Sequence, residues 1–170
     1  MEYSINSNRL IIWRLAGMLV FCWFFFTACE PHYKYPVEPY LEFVSLEHIA
    51  SVQNIEELRL LLKFTDGDGD IGETPRPSDT AENLKIMLFL KENEQWHCVD
   101  TFGSFGAWVT PLLSSGEESI SGTIEVPLNV RYIRELYFPT DTIRFECWLI
   151  DRQNHHSNHV FTDEYVIVKY

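Results

Sequence analysis

The stretch IEELRLLLKFTDGDGDIG, residues 55–72, decides the fold class of this chain. Leu58, Leu60, Leu62 and Phe64 occupy alternate positions, with Arg59 and Lys63 between them. Side chains two apart share one face of a strand, so this spacing predicts a half-buried β-strand over residues 55–64. Glu56, Glu57, Arg59 and the leucines at 60–62 are also helix formers, and propensity alone leaves a helix open. The Asp/Gly run that follows decides for a strand entering a tight loop.

The same alternation recurs downstream. Leu84, Ile86, Leu88 and Leu90 form one set, and a turn at Glu92-Asn93-Glu94 leads into residues 96–102, the pattern of a hairpin. Ile120, Gly122, Ile124 and Val126 form a second set, and Ile143, Phe145, Cys147 and Leu149 a third. Tyr165, Ile167 and Lys169 alternate with Val166 and Val168. Residues 41–44 read as a short edge strand, and residues 46–52 as a turn of helix or irregular chain. Residues 103–116 form a longer connection whose Phe105, Trp108, Val109, Leu112 and Leu113 fold back over an apolar edge. Residues 128–138 admit either a short helix through Val130, Ile133 and Leu136 or a further strand over 132–138. Six or seven short strands joined by Gly/Pro-rich turns, with no internal repeat, predict an all-β domain over residues 40–170. The expected form is an immunoglobulin-like antiparallel β-sandwich. In that order residues 55–64 are strand B, 84–90 strand C, 143–150 strand F and 160–168 strand G. The B–C and F–G loops then emerge at one end, which brings Asp151 or Asn154 toward the acidic loop.

That loop is the most unusual part of the domain. Asp66, Asp68 and Asp70 set three carboxylates on alternate residues, and Gly67, Gly69 and Gly72 permit the curvature that turns them toward one centre. Clustered negative charge is costly unless a cation lies within it, and Ca2+, hard and tolerant of six to eight oxygens, suits such a site. Counted from Asp66, loop positions one, three and five match an EF-hand. Position six is Ile71 where Gly is required, and position twelve is Pro77 where Glu is required. A structural Ca2+ site on Asp66, Asp68, Asp70 and Asp151 is therefore expected to draw further ligands from backbone carbonyls, Glu73, Asp79 or distant residues. The competing reading is a solvated acidic turn whose carboxylates accept local N–H groups.

The second polar loop, residues 150–159, carries His155, His156 and His159. Imidazole is a good zinc ligand, but adjacent histidines on an irregular loop usually diverge. Asp151 and Ser157 can equally tie the turn together through backbone hydrogen bonds. No Gly-x-Ser-x-Gly elbow is present, and no catalytic residues are assigned.

The chain begins with a different kind of signal. Residues 10–29, LIIWRLAGMLVFCWFFFTAC, are almost wholly apolar, with Arg9 and Arg14 near the start. Such a layout suits a secretory leader, an uncleaved membrane helix or a buried segment. Phe26-Thr27-Ala28-Cys29 resembles a lipobox, which makes residues 1–28 a lipoprotein signal peptide and Cys29 the lipidation site. Residues 29–39 then form the lipidated cysteine and a tether with three prolines. Residues 29–170 carry eleven basic against twenty-four acidic side chains, a net charge of −13, which argues against nucleic-acid partners. Of the remaining cysteines, Cys98 and Cys147 are expected as two buried thiols or as a disulfide.

The lipobox, Tyr35-Pro36 with Pro39, the Phe64-Thr65-Asp66-Gly67-Asp68-Gly69-Asp70-Ile71-Gly72 segment and the closing Asp151-Arg152-Gln153-Asn154-His155-His156-Ser157-Asn158-His159-Val160-Phe161-Thr162 together resemble a family of uncharacterised lipoproteins from Bacteroidota. Its members carry F-x-DGDGDIG early and D-R-x-x-N-x-SN-x-V-x-T near the end. His155 beside His156 departs from the Gly/Asn mixture found there in the family. The resemblance implies an immunoglobulin-like sandwich on a lipid anchor in the outer membrane, periplasmic or surface-facing, and no activity. The functional expectation is a non-enzymatic accessory or binding module of the cell envelope, held to the membrane by its lipid, with an envelope protein or a glycan as partner. Trp96, Phe102, Phe105, Trp108, Tyr132, Tyr137, Phe138 and Trp148 supply the alternative of a carbohydrate-binding or adhesion component. A metal-dependent hydrolase is the third reading.

Overall fold

A computed structural model describes residues 34–50, 56–72, 78, 82–99, 105–110, 118–129, 133 and 140–167, all within the unit Tyr33–Tyr170. The leader, Cys29, Glu73 and Asp79 lie outside the described residues, as does most of the ambiguous stretch 128–138.

Among the described residues eight strands follow one another as β1 (Tyr40–Ala50), β2 (Glu56–Asp66), β3 (Leu84–Glu92), β4 (Gln95–Cys98), β5 (Ile120–Asn129), β6 (Thr142–Leu149), β7 (Val160–Phe161) and β8 (Tyr165–Val166). One antiparallel sheet has the order β1-β2-β5, and the other β4-β3-β6-β7, with β8 also paired to β6. The result is an all-β sandwich of two antiparallel sheets. Alternation explains the core: Leu58, Leu60, Leu62 and Phe64 of β2 face Leu84, Ile86, Leu88 and Leu90 of β3 and Ile143, Phe145, Cys147 and Leu149 of β6, all buried. Phe105 from the long connection meets Phe145 edge-on at 6.0 Å.

Two strand expectations need correction. β1 runs on through residues 46–50, where a helical turn or irregular chain was expected. Its register slips by one residue between Phe43 and Ser45, so the extra Val44 bulges outward and breaks the two-residue period. The expected last strand, residues 160–168, is split. Between its halves Thr162 keeps the ladder going, its Oγ1 accepting from Phe145 N at 3.0 Å and its N–H donating to Phe145 O at 2.9 Å. Strand β4 is described over Gln95–Cys98, Val99 is buried and donates its N–H to Leu88 O at 2.8 Å, and the rest of the expected arm to 102 lies outside the described residues. Cys98 and Cys147 do not form a disulfide, and only Cys147 is buried, its thiol pushed up to about 12 mainly by desolvation. Cys98 is exposed because β4 is a four-residue edge strand.

Tight turns account for the rest. Asn93 and Glu94 hold φ of 49° and 62°, the paired left-handed geometry of a two-residue hairpin loop between Glu92 and Gln95. Pro127, which has no N–H to give, sits in β5, an edge of its sheet. Asn158 closes the sandwich: its amide accepts from Leu41 N at 2.8 Å and donates to Leu41 O at 2.9 Å. That side chain stands in for one rung of a strand ladder on β1.

Candidate metal centre

Strand β2 delivers Asp66 as its last residue, and the chain then turns at once. Gly69 and Gly72 take φ of +68° and +87°, values open to glycine at little cost. Ile71 is fully buried in the core. This explains why the loop departs from an EF-hand at its sixth position: the chain must re-enter the core immediately after the third carboxylate. The left-handed residue is displaced one place, to Gly72.

The three carboxylates converge. Asp66 is 0% exposed, and Asp68 and Asp70 are each 5% exposed. One oxygen from each lies within 4.8 Å of the others. Oxygens held at 2.3–2.6 Å around one Ca2+ fall within about 5 Å of each other, so one such ion fits among them. Their hydrogen bonds leave oxygens over. Asp70 N–H donates to Asp66 Oδ2 at 2.8 Å, and Gln153 Nε2 donates to Asp68 Oδ2 at 2.6 Å. Asp66 Oδ1, Asp68 Oδ1 and both oxygens of Asp70 are buried with no partner. Buried carboxylates without donors are strongly unfavourable, and one oxygen from each of the three could hold a metal ion. The solvated acidic turn expected as the alternative is not what these burials describe.

The second polar loop does reach the first. Arg152 donates from Nε to Asp70 O at 2.9 Å and from its backbone N–H at 3.4 Å, while Gln153 grips Asp68. Asp151 is 7% exposed and adds its charge to the field felt by Asp66 and Asp70. Both of its oxygens are engaged by His155: Oδ1 accepts from His155 N at 2.8 Å, and Oδ2 lies 2.8 Å from Nδ1. That pairing raises the His155 pKa, chiefly through the hydrogen bond. Asn154 takes φ of 66° and lines, with Asp151, Arg152, Gly72 and Glu82, a cavity of about 290 Å³. Ser157 ties the turn, its Oγ accepting from Leu149 N at 2.9 Å and donating to Asn158 O at 2.8 Å.

The histidines diverge. His155 serves Asp151, His156 bridges Ile150, and His159 stacks on Trp148 at 4.6 Å while bonding Glu146 at 2.8 Å. Among the described residues, Asp66, Asp68 and Asp70 are the one group of His, Cys, Asp or Glu side chains close enough to share a metal. Phe102, Tyr132, Tyr137 and Phe138 lie outside the described residues, and Phe105 packs on the core. The Arg144 guanidinium lies 4.3 Å from the Trp96 ring and 4.2 Å from that of Phe161, so its own cation covers the rings.

Two contacts have no sequence signal. Ser119, which precedes β5, donates from Oγ to Gly67 O at 2.7 Å and accepts from Lys34 N at 2.7 Å. A β-carbon at Gly67 would stand 2.4 Å from Pro36 O and 2.5 Å from Tyr35 O, so residues 35–36 lie directly on the loop. The neighbouring Arg152 and Gln153 are polar residues beside a predicted ligand, which was the available clue to their grip.

Charge crowding makes the metal-free protein pH-sensitive. Asp66 is raised from 3.8 to about 6, first by desolvation and next by Asp68; Asp70 is also raised, by desolvation and then Asp151. A carboxyl whose folded pKa lies above its unfolded one favours the fold fully below 3.8 and loses that contribution as pH rises through about 6. In chelator, melting temperature is therefore expected to rise as pH falls from about 7 toward 5. Saturating Ca2+ removes or reverses that trend, since protons then compete with the ion. Thermal melts across this pH range, with and without chelator, check it.

Comparison with protein-family models, with curated proteins and with solved structures gave no match to this chain.

Proposed function

We propose that this chain is a non-enzymatic, lipid-anchored module of the cell envelope whose β-sandwich is braced at one end by Ca2+. One observation carries the metal: four buried carboxylate oxygens of Asp66, Asp68 and Asp70 that have no hydrogen-bond donor. The sheet orders β1-β2-β5 and β4-β3-β6-β7 support immunoglobulin-like connectivity, A-B-E against C′-C-F-G. Such a sandwich presents rigid loops at its two ends, the usual place for a binding module to meet its partner. The anchor reading rests on residues 26–29, FTAC, behind the apolar leader. Multiple acyl chains on Cys29 would hold the protein firmly where one chain binds marginally.

Calorimetric titration of the purified full chain should find one tight Ca2+ per molecule, lost in Asp68→Asn. No heat at millimolar Ca2+ would return the loop to a purely structural turn. Metabolic labelling with a fatty-acid probe tests the anchor separately: Cys29→Ser should abolish the label and leave the leader attached. A labelled Cys29→Ser protein would refute it.

A further inference from the structure

We infer that the bound cation clasps the chain's own stem: with Ca2+ in place the 66–70 loop holds residues 34–36 against the sandwich, and without it the stem is released. This deepens the calcium reading above and rests on it.

The two faces of the loop do different work. Asp66, Asp68 and Asp70 turn inward to one centre, while the backbone at Gly67 turns outward against the carbonyls of Tyr35 and Pro36. The missing side chain is what permits the approach, since a β-carbon there would overlap both oxygens. A hydroxyl relay joins the same three parts: Lys34 N–H donates to Ser119 Oγ, and Ser119 O–H donates to the Gly67 carbonyl, each at 2.7 Å. The acceptor carbonyl lies between the first and second carboxylates. Gly69 packs with equal closeness on Glu118 O, at 2.3 Å from its would-be β-carbon, so Ser119 enters the relay from a fixed position.

Charge repulsion supplies the release. Three buried carboxylates with four unpartnered oxygens push the loop apart when no cation screens them. Any outward movement withdraws the Gly67 carbonyl from Ser119 and opens the flat seat under residues 35–36. A cation reverses this by drawing the three side chains inward. Only four residues separate Lys34 from Cys29, the proposed lipidation site, in the sequence. Linkage makes the effect reciprocal: if the ion stabilises the docked stem, the docked stem tightens the ion by the same factor.

Hydrogen–deuterium exchange on the full chain in detergent, with Ca2+ and with chelator, reads the stem directly. The peptide covering residues 33–40 should exchange about tenfold more slowly with Ca2+ than without it. Lys34→Pro deletes the N–H that starts the relay and leaves every carboxylate in place. It should weaken Ca2+ affinity several-fold and leave the stem exchanging fast even with the ion bound. Calcium that binds normally while the stem exchanges equally in both conditions overturns the clasp alone, as does unchanged affinity in Lys34→Pro. Failure of Ca2+ to bind at all overturns the clasp together with the metal reading.

Discussion

Asp70→Asn should make the chelated protein more stable and the calcium-loaded protein less stable, reversing the order of wild type and variant. Asp70 has two buried oxygens that no donor meets in hydrogen-bond geometry, and its pKa is raised chiefly by desolvation and next by Asp151, with the nearby Gln153 amide opposing. Asparagine keeps the shape and removes one negative charge from the cluster. Its amide also offers N–H groups to the unpartnered Oδ1 atoms of Asp66 and Asp68. Relief of a buried, unsatisfied polar group contributes roughly 1–3 kcal/mol in favour of the variant when no ion is present. With Ca2+ at a thousand times its dissociation constant, wild type gains about 4.1 kcal/mol by linkage, roughly 14 °C in melting temperature for a domain of this size. The variant forfeits most of that gain. Melts of both proteins in Ca2+ and in chelator give four numbers, and the two orderings must differ. A variant that is weaker in both conditions, with an equal increment from Ca2+, contradicts the cation reading.

Gly69→Ala is expected to lose stability with and without Ca2+, by roughly 2–5 kcal/mol. The backbone there is left-handed, φ +68°, which costs an L-residue about 1–2 kcal/mol. The new methyl would also stand 2.3 Å from the carbonyl oxygen of Glu118, and overpacking adds about 1–3 kcal/mol. A backbone carbonyl held next to the start of β5 has little freedom to retreat. Gly122→Ala is the control: its β-carbon would meet the Phe64 ring at 3.0–3.1 Å, and a side chain can shift by that much. Denaturant titration of both variants should show the larger loss at Gly69. A cost below about 1 kcal/mol at Gly69 would mean that the loop does not hold the close approach described.

Where one face of a strand is buried and no bulge intervenes, the fold was legible in the sequence. The alternating leucines of β2, the Leu/Ile set of β3 and the Ile143-Phe145-Cys147-Leu149 set of β6 each bury as their period demands. The second half of β1 was not legible, because the bulge at Val44 shifts the phase and no single period spans the strand. The final strand misled for a different reason. Val160-Phe161 and Tyr165-Val166 both have strand character, while between them Thr162 uses its hydroxyl to replace a strand rung. Strand order alone led to the expectation that Asp151 or Asn154 approaches residues 66–70, and the loop that carries them does meet the acidic one. What the sequence could not show was direction within that contact: Asp151 turns its oxygens to His155, and Arg152 and Gln153 make the bonds to the acidic loop. Nor could it show the stem. The relay through Ser119 joins positions 34, 67 and 119, and no local pattern links them. Ile71 holds the remaining lesson, since its mismatch to an EF-hand reflects the demand of the core on the residue that follows the third carboxylate.

The most direct measurement is an anomalous difference map from crystals of the protein grown with Ca2+ and then exchanged into Tb3+. The account predicts one strong peak enclosed by the carboxylates of Asp66, Asp68 and Asp70, with oxygens at about 2.3–2.6 Å. A map with no peak there, and ordered water or nothing among the same oxygens, would contradict it.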